Sequence, residues 1–174
     1  MNEKFNGHIW RHDFRRESLN QIIDGLNRAM KILYKRVDQF SWYDATSFLE
    51  DIEPIVGLAF VAFQNYIYGS IKDRFQSNDT IRYIQLTSPR LKQYNRNEIE
   101  LVVALANYCK HMDGNLNSGT KRMLLDFKLS IQGGIDNSPL ISGLELLSSE
   151  WDLEVILIKV TSWRECLWTD YEDL

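Results

Sequence analysis

The sequence predicts an all-α fold, a single-domain helical bundle of five or six helices over residues 1–174, with room for one short strand pair. Apolar residues recur at helical spacing along most of the chain. The 174 residues include only 3 prolines and 9 glycines, and no repeat or linker divides them. The hydrophobic share of 44% is ordinary for a globular protein, which excludes disordered and low-complexity classes.

Three helices are expected in the N-terminal half of the chain. Ser18 is the predicted N-cap of the first, whose apolar positions continue at i, i+3, i+4 spacing to Val37. A short second helix is expected over Tyr43–Ile52. Pro54 is the predicted first residue of a third helix ending at Phe75, because its fixed φ and missing N–H are tolerated at that position.

The C-terminal half alternates between clear helices and ambiguous segments. IRYIQL at 81–86 and MLLDFKL at 123–129 fit either a short strand or a helical turn. A long helix is expected over Asn97–His111. A short helix at Leu140–Leu147 and a longer one over Asp152–Asp170 complete the predicted bundle.

Composition also excludes several classes of protein. No apolar run approaches the roughly 20 residues that span a bilayer, and the charged N-terminus does not resemble a signal peptide, so we expect a cytoplasmic protein without a membrane partner. Cys109 and Cys166 are too few for a disulfide framework. Phosphate-binding glycine motifs are absent, and His8 and His12 lack a third ligand, so neither a cofactor nor a metal site is expected.

Negative charge concentrates in two aromatic-rich clusters, although the net charge is only −4. Residues 41–75 carry five acidic and two basic side chains, and residues 145–174 carry eight and two. Such surfaces repel nucleic acid and favour a basic protein partner, while the alternative is ordinary solvated helix faces and acidic helix starts. The candidate partner-binding residues are Trp42, Tyr43, Asp44, Glu50, Asp51, Glu53, Trp151, Asp152, Glu154, Asp170, Tyr171 and Glu172.

A second candidate site lies at the end of the helix predicted over Asn97–His111. Asn107 and His111 are four residues apart and share one helix face, with Lys110 beside them. An amide, an imidazole and an ammonium group together suit phosphate binding or general base catalysis. The alternative, which the spacing favours, is that His111 interacts with the C-terminal end of the helix dipole.

The run ALANYCKHMD at 104–113, its Gly/Asn-rich continuation and the later segments GLELL and SWRECL resemble bacterial helical proteins with an NYxKHxD signature. These are similar to the HEPN superfamily, which implies a small helical bundle, often dimeric; many members are ribonucleases of toxin and defence systems. Active members carry Arg, usually then Asn, three variable residues and His on one helix. Alignment on Asn107 and His111 places Ala106 at the arginine position, and alanine supplies no charge for a phosphate.

We therefore expect a non-catalytic binding protein without cofactors and without direct contact to nucleic acid. The resemblance implies an immunity or antitoxin protein that neutralises a basic nuclease toxin by covering it. The alternative is a HEPN-type, metal-independent ribonuclease that uses Asn107, Lys110 and His111 and is completed across a homodimer. A structural subunit with no chemistry of its own is a third interpretation.

Overall fold

The computed structural model describes residues 11–88, 90, 91, 93–132 and 134–169, which form seven α-helices and one 3-10 turn at Ile135–Asn137. The helices are α1 (Arg16–Gln39), α2 (Ala45–Phe75), α3 (Thr80–Thr87), α4 (Glu98–His111), α5 (Ser118–Asp126), α6 (Pro139–Leu147) and α7 (Leu153–Thr169). The all-α prediction is confirmed, with seven helices rather than five or six. None of these helices combines the length and apolar character needed to cross a bilayer.

The central element of the bundle is α2, which packs against α1, α4, α6 and α7. A helix with neighbours on several sides needs apolar residues around most of its circumference, and Phe60, Phe63 and Ile67 are completely buried. Each of the seven helices contributes buried side chains to one hydrophobic cluster. The other helices are therefore positioned by their contact with α2 or with its immediate neighbours.

The expected separation of two helices at Pro54 is wrong, because α2 continues unbroken with this proline inside it. Asp44 starts the helix earlier, since its side chain accepts a hydrogen bond from the Ser47 N–H at 2.9 Å. Proline has no N–H, so the carbonyl of Glu50 lacks its usual helical partner. Glu50 is exposed, and solvent can satisfy that carbonyl.

The structure decides one open alternative and corrects two further expectations. The ambiguous segments 81–86 and 123–129 are largely helical, within α3 and α5, which raises the helix count. Both bury apolar side chains against the bundle, Ile84 and Leu124 among them, so a helical face replaces strand alternation. In the described residues the predicted strand pair is reduced to a single antiparallel bridge between Leu91 and Arg96. The first helix begins at Arg16, ahead of Ser18, and its N-terminus has no side-chain cap.

The predicted helix over Asn97–His111 is confirmed, with Asn97 as its N-cap and a complete capping box. The Asn97 side chain accepts from the Glu100 N–H at 2.8 Å, and the Glu100 carboxylate accepts from the Asn97 N–H at 3.0 Å. Glu100 is 1% exposed and pairs with Arg96 at 2.7 Å. Arg96 also pairs with Asp126 at 2.8 Å, and Gln85 donates to Glu100, so this network joins α3, α4 and α5.

Candidate functional site

The bundle brings the two acidic, aromatic segments of the sequence together at one end of α2. Phe48, in the first turn of α2, stacks on Trp151, just before α7, with ring centroids 6.4 Å apart and planes inclined by 15°. Tyr34 of α1 also packs against Phe48, at 5.0 Å between centroids. We use the name acidic–aromatic surface for the aromatic residues of these contacts and of the loop before α2, together with the acidic residues near them in sequence: Tyr34, Phe40, Trp42, Tyr43, Glu50, Asp51, Glu150, Trp151, Asp152 and Glu154.

The most exposed aromatic side chains of this surface lie in the loop between α1 and α2. Trp42 is 72% exposed and Phe40 44%, and their ring centroids are 5.7 Å apart. Backbone hydrogen bonds hold the loop, from the Phe40 N–H to the Arg36 carbonyl and from the Tyr43 N–H to the Phe40 carbonyl, both at 3.0 Å. A pair of exposed aromatic rings on an ordered loop is typical of a protein-binding surface.

Tyr43 supports this loop from inside. It is 5% exposed, and its hydroxyl donates a hydrogen bond to Asp51 at 2.7 Å, while Arg36 lies 3.7 Å from the same carboxylate oxygen. Burial, together with the hydrogen bond and charge of Asp51, raises the pKa of Tyr43 above its ordinary value. Tyr43 therefore stays neutral and anchored at physiological pH, whereas the Asp51 side chain remains about half exposed.

Besides Asp51, three further predicted binding carboxylates have partners within the fold. Asp44 caps α2, and the N–H of Ser47 holds the pKa of its carboxyl below the ordinary value. Glu53 accepts a hydrogen bond from the Ser138 hydroxyl, which joins α2 to the start of α6. Asp152 accepts from the Asn27 side chain at 3.2 Å and from the Glu154 N–H at 2.9 Å, next to the start of α7. These contacts order the helix ends beneath the surface.

The remaining predicted residues divide into exposed ones and ones that lie outside the described residues. Glu50 and Glu154 are exposed on the acidic–aromatic surface. Asp170, Tyr171 and Glu172 are outside the described residues. The α7 helix extends for roughly 24 Å between its first and last residues, so Thr169 lies far from Trp151.

A cavity of about 280 Å³ opens beside Trp151. Trp151 has a φ of 54°, a left-handed conformation that costs a bulky residue about 1 kcal/mol or more. Its N–H donates to the Ser148 carbonyl at 3.0 Å, which, with the Phe48 contact, holds this conformation. The cavity combines aromatic walls with carboxylates, a chemistry that suits a guanidinium or ammonium group. Its lining residues are Asn27, Met30, Lys31, Tyr34, Glu150, Trp151 and Asp152.

The second predicted site, at the end of α4, is organised by a glutamine of α2. Gln64 is 1% exposed and donates from its side-chain nitrogen to the Asn107 side-chain oxygen at 2.8 Å and to the Val103 carbonyl at 3.3 Å. The Lys110 ammonium donates to the Gln64 side-chain oxygen at 2.5 Å. Asn107 and Lys110 are thereby joined through one buried amide, while His111 is exposed at the last position of α4.

Two neighbours of that cluster limit its chemistry. Ala106, at the position of the arginine in active HEPN members, is completely buried, and an ideal helix turns its side chain about 140° away from that of His111. Cys109 is half-buried, and burial raises the pKa of its thiol, with Glu53 adding to the effect. Within the described residues, no three His, Cys, Asp or Glu side chains gather in a group that could hold a metal ion.

Sequence reasoning missed several residues that the structure places in these sites. Phe40 lies in the run DQFSWYD, where three aromatic residues alternate with polar ones, and this pattern could have indicated an exposed ring. Glu150 directly precedes Trp151. In the sequence, Tyr34 and Phe48 are aromatic residues within helical patterns and have no other distinguishing feature. Only the folded chain shows that they connect the two acidic, aromatic segments. Gln64, in an otherwise apolar stretch of α2, offered a signal of its own, because a buried amide requires polar partners.

Comparison with known proteins found no matching family model, no matching curated protein and no matching solved structure.

Proposed function

We propose that this protein is a non-catalytic binding protein whose acidic–aromatic surface holds a basic protein partner. The partner we propose is a nuclease toxin, which makes the protein a bacterial immunity or antitoxin protein acting in the cytoplasm. The observation that carries the proposal is the 72% exposure of Trp42, whose ring lies beside Phe40 and beside Tyr43, the hydrogen-bond partner of Asp51. Exposing so large an aromatic side chain to water is unfavourable unless a partner covers it.

The arrangement suits a basic protein on two counts. Tryptophan and tyrosine supply most of the binding energy at the centre of many protein interfaces, about 2–4 kcal/mol for each important side chain. Glu50, Asp51, Glu150 and Glu154 supply negative charge around them, which accelerates association with a positive surface. Nucleases carry positive surfaces because they bind phosphate, so an acidic protein that covers such a surface also blocks access of the nucleic acid.

The end of α4 supports a non-catalytic role. The resemblance to the HEPN superfamily requires an arginine where Ala106 stands, and Ala106 is fully buried. Lys110 is the nearest cation by sequence, but its ammonium group donates a hydrogen bond to Gln64. An ammonium group is also a point charge and cannot form the bidentate contact that an arginine guanidinium makes with a phosphate.

The direct test is co-expression of the tagged protein with the nuclease encoded beside its gene. We expect the nuclease to co-purify and its RNA cleavage to stop on binding. Added salt should slow the association, because the attraction between the surfaces is electrostatic. A neighbouring nuclease that is not bound, or that is bound and remains fully active, would contradict the proposal.

A second function, a metal-independent ribonuclease, is favoured by one observation: Gln64 fixes Asn107 and Lys110 on the face of α4 that ends at His111. It requires that the purified protein alone cleaves RNA in the presence of EDTA and that His111→Ala abolishes this cleavage. Since His111 is exposed, that substitution leaves the fold intact. Cleavage that persists in His111→Ala comes from a contaminant and rejects this function.

A further inference from the structure

An apolar groove lies between α1 and α2, outside the acidic–aromatic surface. It encloses about 480 Å³. The residues that make it apolar are Ile22 and Leu26 of α1 and Leu58, Val61 and Ala62 of α2. Ile22 is 49% exposed and Leu58 is 59% exposed, so aliphatic side chains from both helices line a groove that is open to solvent.

The outer face of α1 extends this groove into a stripe. Ile22, Gly25, Ala29 and Ile32 follow one another at helical spacings of three, four and three residues. Ile32 is 58% exposed. A Cβ built on Gly25 meets no atom within 4 Å among the described residues, so nothing within the protomer requires a glycine there. Glycine inside a helix costs stability, and close approach of a second backbone is a reason for it.

The stripe is complementary to itself when reversed. Read from either end, it runs isoleucine, small residue, small residue, isoleucine, with the same spacings. A two-fold axis at its middle would place Ile22 opposite Ile32 of a second copy, and Gly25 opposite Ala29. This pairing brings two antiparallel α1 helices together at their small residues.

Charge on the edge of the stripe matches the same pairing. Glu17 and Lys35 are about five helical turns apart, which places both on the same edge of α1. In an antiparallel pair, Glu17 of each copy therefore faces Lys35 of the other, and both residues are exposed. The first half of the stripe has acidic flanks at Glu17 and Asp24, whereas the second half has basic flanks at Lys31 and Lys35.

We propose that this face binds a second copy of the chain, through an isologous antiparallel contact of α1 with α1 across the α1–α2 groove. The face is roughly 27 Å long by 20 Å wide, two helix diameters, or about 500 Å² for each protomer. Stable interfaces bury about 800 Å² for each partner, so the dimer is a weak one that forms at micromolar concentrations. The proposal does not depend on the proposed function, because none of these residues belongs to the acidic–aromatic surface.

Sedimentation velocity of the full chain tests the dimer. The mass is expected to rise from 20.5 kDa towards twice that value as the concentration increases from about 1 to about 200 μM. Ile22→Glu and Leu58→Glu should each raise the dissociation constant at least about tenfold. The matched control is Ile158→Glu on α7, where the wild-type side chain is 57% exposed and lies outside the groove. This control variant should dimerise like the wild type.

A charge exchange identifies the antiparallel arrangement. Glu17→Lys alone and Lys35→Glu alone should each weaken the dimer severalfold, and the double variant E17K/K35E should restore it, because the pair re-forms with reversed signs. All of these positions are exposed, so circular dichroism should show an unchanged helical fold. A wild type that stays at 20.5 kDa throughout overturns the proposal.

Other results also contradict it. If Ile158→Glu weakens the dimer as much as Ile22→Glu, another face forms the interface. If the double variant is no better than the single ones, the helices do not pair antiparallel at this stripe. If the wild type is monomeric and Ile22→Glu impairs binding of the nuclease, the groove belongs to that partner rather than to a second copy.

Discussion

Gly25 and Gly57 lie inside long helices, where glycine is less stable than alanine, yet their surroundings differ. A Cβ built on Gly25 has open space around it within the described structure, whereas one on Gly57 lies 2.5 Å from the Cys109 sulfur. The absence of a side chain therefore has a different structural consequence at each of the two positions. Gly57 permits the close approach of α2 and α4, whereas no contact among the residues that the structure describes requires a glycine at position 25.

Gly25→Ala should raise the unfolding free energy of the monomer by about 0.5–1 kcal/mol, because the helix loses a flexible residue and the added methyl group meets no obstruction. Urea denaturation at low protein concentration, where the monomer predominates, measures this change. A destabilised variant would show that the space around Gly25 is filled in solution.

Gly57→Ala should instead lower the unfolding free energy by about 1–2 kcal/mol, since the new methyl group collides with the Cys109 sulfur. Cys109→Ala removes that sulfur, so the double variant should be more stable than Gly57→Ala alone. Urea denaturation of the two single variants and the double variant completes the cycle. Additive effects of the two substitutions would contradict the contact.

At the scale of elements, the network around Glu100 is the polar junction that holds α3, α4 and α5 together. Burial acts to lower the pKa of Arg96, but the hydrogen bonds that its guanidinium donates to Asp126 and Glu100, together with the charges of these carboxylates, raise that pKa overall, so the guanidinium stays protonated. Removal of the guanidinium leaves Glu100, 1% exposed, as a buried charge without its cation.

Arg96→Ala should therefore lower the unfolding free energy by about 3 kcal/mol. Arg28→Ala is the matched control, because Arg28 forms an exposed pair with Asp24 at 2.8 Å and such pairs contribute less than about 0.5 kcal/mol. Thermal or urea denaturation distinguishes the two variants readily. If the unfolding free energy falls by the same small amount in Arg96→Ala and Arg28→Ala, the network around Glu100 does not hold these helices together.

The helices themselves differ in how far sequence predicts them. The Asn97–His111 helix has a capping box and a continuous apolar face, and both signals are local. The start of α2 also has a local signal, the Asp44 cap, but Pro54 suggests a competing start. Packing decides that competition, since burial of both sides of α2 stabilises an unbroken helix despite the missing N–H.

At the scale of the whole molecule, the candidate site shows the limit of sequence reasoning. Composition and charge identify which residue types gather in segments 42–53 and 150–172, and these are local facts. The stacking of Phe48 on Trp151, which unites the segments, depends on the packing of α1, α2 and α7 together. The sequence also cannot distinguish Asp44, which caps a helix, from Asp51, whose carboxylate stays half exposed, because an aspartate side chain is suited both to capping a helix and to binding a partner.

The tyrosines predict how the whole molecule responds to alkaline pH. The pKa values of Tyr34, Tyr43, Tyr66 and Tyr108 are all raised, chiefly by burial. An unfolded tyrosine loses its proton near pH 10, before these folded ones do, so the unfolded state binds fewer protons above that pH. Stability is therefore fully present below about pH 9 and falls as the pH rises further.

Urea denaturation at several pH values measures this loss. Tyr43 and Tyr66, which are 5% and 3% exposed, should each lower the unfolding free energy by at most about 1.4 kcal/mol per pH unit above pH 10. Tyr43→Phe should reduce the slope, because it removes one titrating group. An unfolding free energy that stays constant from about pH 8 to 11 would contradict the burial of these hydroxyls.

The acidic–aromatic surface is the central claim, and the affinity of a purified, catalytically inactive nuclease partner for two variants tests it most directly. Trp42→Ala removes the 72% exposed ring, and Phe14→Ala removes a 66% exposed ring outside that surface. Calorimetry should give a dissociation constant at least about 30-fold weaker for Trp42→Ala and unchanged for Phe14→Ala. Equal affinities for both variants and the wild type would show that the partner binds elsewhere.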